Sequence, residues 1–220
     1  AQTKDDTRPQ SLTLYVGGTG SGNYTKIQDA INNASNGDTV FVFNDSSPYN
    51  ESIHIGKSIN LIGEDRDSTI IDKKINDQSG AIQLLSNSII IKSFTIKNDF
   101  SVDEGIDCEY TDNVTLTDLK IETACVGIVL YNCCNVSINF ATIISSNWFG
   151  LQFVGSSFNT ITDCNFLNSK RGIYVQNDGH SNGNKIYHNS FINNSINALD
   201  CGNNTWDNGY PSGGNYWSDY

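Results

Sequence analysis

The chain has 220 residues, a modest apolar content of 37% and a net charge of −11 with no basic cluster. This balance argues against nucleic acid and anionic membranes as partners, and no apolar run approaches the roughly 18 residues a bilayer span needs. No methionine occurs, even at position 1, which predicts a secreted chain that has lost a signal peptide.

Residues 1–11 are polar, carry Pro9 and read as an N-terminal arm. Residues 12–56 read as an N-terminal cap. Leu12 to Val16 is a strand, and Gly17 to Gly22 a glycine-rich turn that lacks the Lys-Ser/Thr ending of a phosphate loop. Tyr24 to Ser35 is the one convincing helix, because Ile27, Ala30, Ile31 and Ala34 recur on one face. Asn36-Gly37 ends it, and the strand Thr39 to Phe43 follows. Such a helix would cover strand edges that otherwise invite aggregation.

Residues 57–201 read as β-helix coils, and from 80 to 201 they are organised by a returning phrase, a small residue followed by an alternating strand. Copies begin at Gly80, Gly105, Gly127, Gly150, Gly172 and Ala198, with steps of 25, 22, 23, 22 and 26. A fixed period of this size marks a stacked repeat. A second phrase starts at Asn87, Asp112, Cys134, Asn159 and Asn184. Strands this short need the same strand of the next coil as a partner, so the fold class is all-β: a parallel β-helix (solenoid) with an N-terminal capping α-helix. Each buried Ile, Leu or Phe adds roughly 1.5–3 kcal/mol. Five positions into the second phrase stand Lys92, Thr117, Asn139, Cys164 and Asn189. They predict a stacked asparagine ladder in the later coils, with Lys92 outside it. Residues 202–220, with Trp206, Tyr210, Tyr216, Trp217 and Tyr220, read as an aromatic C-terminal cap, or alternatively as a sugar-stacking platform.

Three stretches carry a family resemblance: Tyr24 to Ile31, Gly37 to Val42, and Lys57 to Glu64. They resemble the entry to right-handed β-helices of the pectin-lyase-like superfamily. The Asn-start repeats and the ending Gly213 to Tyr220 resemble the periplasmic copper-binding (NosD-type) β-helix family, common among archaeal surface proteins. The resemblance implies a right-handed coil. Its functions range over lyases, hydrolases, esterases, accessory and structural proteins. Copper would need the cysteines, since Met is absent and His54, His180 and His188 are not at ligand spacing.

The outward ladder of the first phrase reads Gln83, Asp107, Val129, Gln152, Tyr174 and Asp200. Esterase-like sites in this superfamily use two Asp, an Arg and Gln residues on neighbouring coils, and Val129 interrupts that pattern. Hydrolysis needs two carboxylates within about 10 Å. Asp107 and Asp200, four coils apart in this reading, are too distant at about 4.8 Å per coil. Asp103, Glu104, Asp107 and Glu109 form a candidate Ca²⁺ site or a solvated acidic edge. Lys170 and Arg171 sit on the equivalent edge three coils on, about 14 Å away.

Six cysteines suggest disulfides in a secreted chain. Cys108 and Cys201 read as inward, and Cys125, Cys133 and Cys134 as exposed turn residues and disulfide candidates. Eight sequons are glycosylation candidates: Asn23, Asn33, Asn44, Asn50, Asn113, Asn135, Asn193 and Asn203. Together these features predict a non-catalytic secreted cell-surface structural protein, a self-associating building block of an extracellular layer, sheath or filament that needs no cofactor. The alternatives are a polysaccharide-binding or polysaccharide-degrading protein and a copper accessory protein.

Overall fold

The structure is a computed structural model and describes residues 11–74, 80–98, 104–123, 125–144 and 147–219. The arm at 1–10 lies outside the described residues. Every strand pairing is parallel, and the chain winds a right-handed β-helix of about eight turns. A seven-stranded sheet from Ile53–Ile55 to Ile196–Asp200 makes one wall. A 13-stranded sheet makes the rest of the tube. Among the described residues no helix is long and apolar enough to cross a membrane.

Short strands persist here because each pairs with its equivalent one coil away and buries alternate side chains inside. Ile106, Ile128, Leu151 and Ile173 stack in register along the seven-stranded wall, all fully buried. Corners fall where residues adopt positive φ. Ser93, Asp118, Phe140, Asp163 and His188 mark one corner in successive coils, with φ between 53° and 62°. Where the coil enters the seven-stranded wall, Gly105, Gly127, Gly150 and Gly172 stack. A Cβ on Gly127 would lie 2.4 Å from Gly150 O and 2.5 Å from Ile143 Cγ2, so only glycine fits. Asn197, not Ala198, takes this place in the last coil, since Ile173 pairs with Ala198.

The helix is Ile27–Asn33, shorter than the 24–35 the periodicity predicts. Tyr24 instead donates its backbone N–H to Tyr15 O, and Lys26 and Ala34 are both extended. Its buried face of Ile27, Ala30 and Ile31 closes the N-terminal end, and Glu51 receives the helix N–H groups of Ile27 and Gln28. At the other end Tyr216–Trp217 pairs on the strand Ser190–Ile192. Trp217 stacks on Phe191 at 4.5 Å, and Phe191 on Phe166 at 5.1 Å, so part of the aromatic tail is a cap.

The asparagine ladder exists, in a different phase from that predicted. Ser137 pairs with Thr160 and Cys134 with Ser157, so Asn159 stands where earlier coils have Val136 and Val114. One inward stack therefore runs Ile89, Val114, Val136, Asn159, Asn184, Asn204. A second runs Phe94, Leu119, Ala141, Cys164, Asn189, Asn215. Both begin apolar and end as amides. Lys92 pairs with Ile62 and Thr117 on the outside and is exposed.

Candidate functional site

The outer face of the seven-stranded wall collects the chemistry. Register places His54, Gln83, Asp107, Val129, Gln152, Tyr174 and Leu199 in one column. Asp200 does not belong to it. It pairs with Val175 and accepts Trp206 Nε1–H at 2.7 Å and Asn204 Nδ2–H at 2.8 Å, tying down the C-terminal segment.

The N-terminal end of this face is polar and acidic. Gln28 accepts the His54 backbone N–H, and His54 Nδ1 lies 3.0 Å from Gln83 Oε1. Burial pushes the Asp107 carboxyl up to about 7, with repulsion from Glu109 and Glu104 adding to it and a hydrogen bond with Gln83 opposing it. Asp107 and Glu109 alternate on one strand and so share its outer face.

The middle of the face is aromatic and cationic. Gly127 and Ile128 are both buried, as are Gly150 and Leu151, so alternation breaks there and the residue before each of these glycines is buried as well. Cys125, Val126 and Phe149 form a small buried cluster there with Val129 and Tyr174. Phe149 and Tyr174 stack at 4.8 Å, and the Arg171 guanidinium lies 5.4 and 5.5 Å from their ring centres. Lys170 lies 4.9 Å from the Trp148 ring centre. Arg171 Nε is buried with no hydrogen-bond partner among the described residues. Phe149 and Arg171 precede stripe glycines in their copies, and that fixed offset was the signal available in the sequence.

Other predicted residues are placed differently. Asp103 lies outside the described residues. Among those described, no group of three His, Cys, Asp or Glu is arranged to hold a metal ion. Cys125 and Cys133 are buried rather than exposed in turns. Cys125 belongs to the buried cluster with Val126 and Phe149. Cys133 lies in an inward column with Thr111, Ser156 and Ser181, and its thiol points at Cys108 O, 3.2 Å away. Cys201 is exposed because Asp200 holds the register position equivalent to the inward Val175. Cys134 is half-buried. Of the sequons, Asn33, Asn50, Asn113, Asn135, Asn193 and Asn203 are exposed. Asn23 and Asn44 are half-buried and line an N-terminal cleft.

A family model described as a right handed beta helix region matches residues 57–210. No curated protein sequence matches the chain. Among solved structures, the chain is similar to alginate lyase from Paenibacillus sp. str. FPU-7. That match has 13% identity and a TM-score of 0.59, covering 84% of this chain and 68% of the lyase. A pectin methylesterase in complex with a hexasaccharide matches with 14% identity and a TM-score of 0.57, covering 88% of this chain and 82% of the other. Pectin methylesterase PemA from Erwinia chrysanthemi has the same identity and coverages, with a TM-score of 0.50. These likenesses show a shared fold.

Proposed function

Because the chain belongs to the right-handed β-helix family, whose coils present a long flat wall to solvent, we propose that it binds an extended acidic polysaccharide outside the cell. The observation that carries this reading is Arg171. Its guanidinium is held across the Phe149 and Tyr174 rings while its buried Nε has no partner among the described residues. Arg171 is half-buried, and the other N–H groups of its guanidinium would pair with a sugar carboxylate while the apolar face of the sugar packs beside the rings. Lys170 beside Trp148 extends the same pad. Two structural neighbours, an alginate lyase and a pectin methylesterase in complex with a hexasaccharide, are in keeping with a carbohydrate on such a wall.

Binding rather than turnover is the reading, because Val129 occupies the coil position next to Asp107 where a second carboxylate is wanted. Turnover would have to run through Asp107 and Glu109, alternate residues roughly 7 Å apart along the strand. Affinity electrophoresis in gels containing alginate or polygalacturonate tests both. The expected result is retardation that Arg171→Gln weakens about tenfold and that Asp107→Asn does not weaken, with no release of products. Equal mobility with and without polysaccharide overturns the binding reading. Product release abolished by Asp107→Asn establishes catalysis instead.

A second reading, self-association, is favoured by the C-terminal end. Tyr216–Trp217 extends the 13-stranded sheet, while Ile196–Asp200 ends the seven-stranded one, and an open cavity of about 840 Å³ lies between Ile196, Ala198 and Trp217. An unpaired strand edge of this kind is a template for another chain. Electron microscopy and non-reducing gels of native material showing only monomers would remove this reading.

A further inference from the structure

We propose that the N-terminal cleft beside the glycine-rich loop is a separate binding site, one that takes a small organic cation such as an alkylammonium head group. The cleft has a volume of about 460 Å³ and is lined by Tyr15, Gly18, Asn23, Phe43, Asp45 and Glu64, among others. Almost all of its lining precedes the residues that match the family model, and it lies apart from the polysaccharide face.

Its floor is aromatic. Tyr15 and Phe43 stack at 6.0 Å, and Phe41 sets its edge against them at 6.1 and 5.1 Å. Its rim is anionic, with Asp45 and Glu64 and no Lys, Arg or His among the described residues that line it. An anion entering this cleft would meet two carboxylates and the negative faces of the rings. A cation would be attracted by both.

The walls are fixed without a ligand. A Cβ on Gly18 would lie 2.8 Å from the Phe43 ring, and one on Gly17 would lie 2.5 Å from Tyr49 Oη. The glycine-rich loop is therefore seated directly on the aromatic wall, which a turn of ordinary residues could not do. Asp45 Oδ1 accepts the Gly18 N–H at 2.9 Å, Asn23 Nδ2 donates to Gly17 O at 2.6 Å, and Tyr49 Oη donates to Phe43 O at 2.7 Å. Glu64 Oε2 accepts the Asn44 N–H at 2.9 Å, which holds this carboxylate at the rim. Such prior ordering lowers the cost of binding a small ligand.

The test is a titration of the full chain with tetramethylammonium chloride at low ionic strength, read on the Tyr15 and Phe43 ring protons by NMR. Sodium chloride at matched ionic strength and glucose are the controls. The expected result is saturable ring shifts with tetramethylammonium alone. Phe43→Leu and Glu64→Gln should each weaken them about two- to fivefold, and Arg171→Gln should leave them unchanged. Absence of saturable shifts overturns the proposal. So does an equal response to glucose, or full affinity in both cleft variants once circular dichroism shows them folded.

Discussion

Asn159 donates its Nδ2–H to Asn184 Oδ1 at 2.9 Å, and the same oxygen accepts the Asn159 backbone N–H at 2.9 Å. Asn184 repeats the arrangement with Asn204, and its own Nδ2 also reaches Ser156 O at 3.0 Å. One buried amide thus serves a corner of the preceding coil that the strand ladder leaves unsatisfied.

Replacing Asn184 by Val removes that acceptor. The Asn159 amide and backbone N–H are then buried without it, at a cost of roughly 1–3 kcal/mol each. The expected loss is about 2–4 kcal/mol in urea unfolding followed by circular dichroism. Val136→Ala in the same column loses only methyl groups and should cost less, about 1–2 kcal/mol.

The glycine stripe gives a sharper contrast. Gly127→Ala must push a methyl against Gly150 O and Ile143, so a loss of roughly 2–4 kcal/mol is expected. Gly56→Ala, where a Cβ meets nothing within 4 Å, should shift the midpoint by less than about 0.5 kcal/mol.

Much of this fold was legible in the residues, and its failures have a physical cause. Alternation identified the strands, and the recurring small residue marked the wall. The phase slipped by two at Asn159 because the inward column changes from Val136 to an amide there. A slip of two preserves which side chains point inward, so alternation could not reveal it. At the last copy the slip was one, which reversed the face of Asp200. The Arg171 pad left only the fixed offset before the stripe glycines as its trace, because alternation alone cannot show that Phe149 comes to lie against Tyr174.

Asp107 should make stability pH-dependent in an unusual direction. Its folded pKa is about 7, above the unfolded value of about 3.9. Between these values the native state binds the extra proton, so this carboxyl lowers stability progressively as pH rises from about 4 to 7. Asp107→Asn should remove that slope and raise stability at pH 8, on the order of 1 kcal/mol after screening at a partly exposed site. Retention on alginate gels should also strengthen as pH falls from 8 to 6, since protonation removes a negative charge from the face.

Thiol accessibility separates the cysteines. Burial pushes the Cys164 thiol up to about 12 and raises Cys108 and Cys133 as well, so these three should resist alkylation in the native protein. Cys201 is exposed and Cys134 half-buried, and both should be labelled within minutes by iodoacetamide at pH 8.5. Mass spectrometry of tryptic peptides before and after denaturation checks this. Rapid native labelling of Cys164 would contradict the inward column.

The replacement of apolar columns by amide columns along the tube divides one solenoid into two regimes of cold response. The early coils cohere through Ile89, Val114, Phe94 and Leu119, whose contribution weakens on cooling because it is hydration-driven. The later coils lean on Asn159, Asn184 and Asn189, whose hydrogen bonds carry little of that heat-capacity signature. In a stack where each coil touches only its neighbours, chilling should therefore loosen the helix-capped end first and heating the opposite end. Hydrogen exchange followed at several temperatures would show protection migrating along the axis.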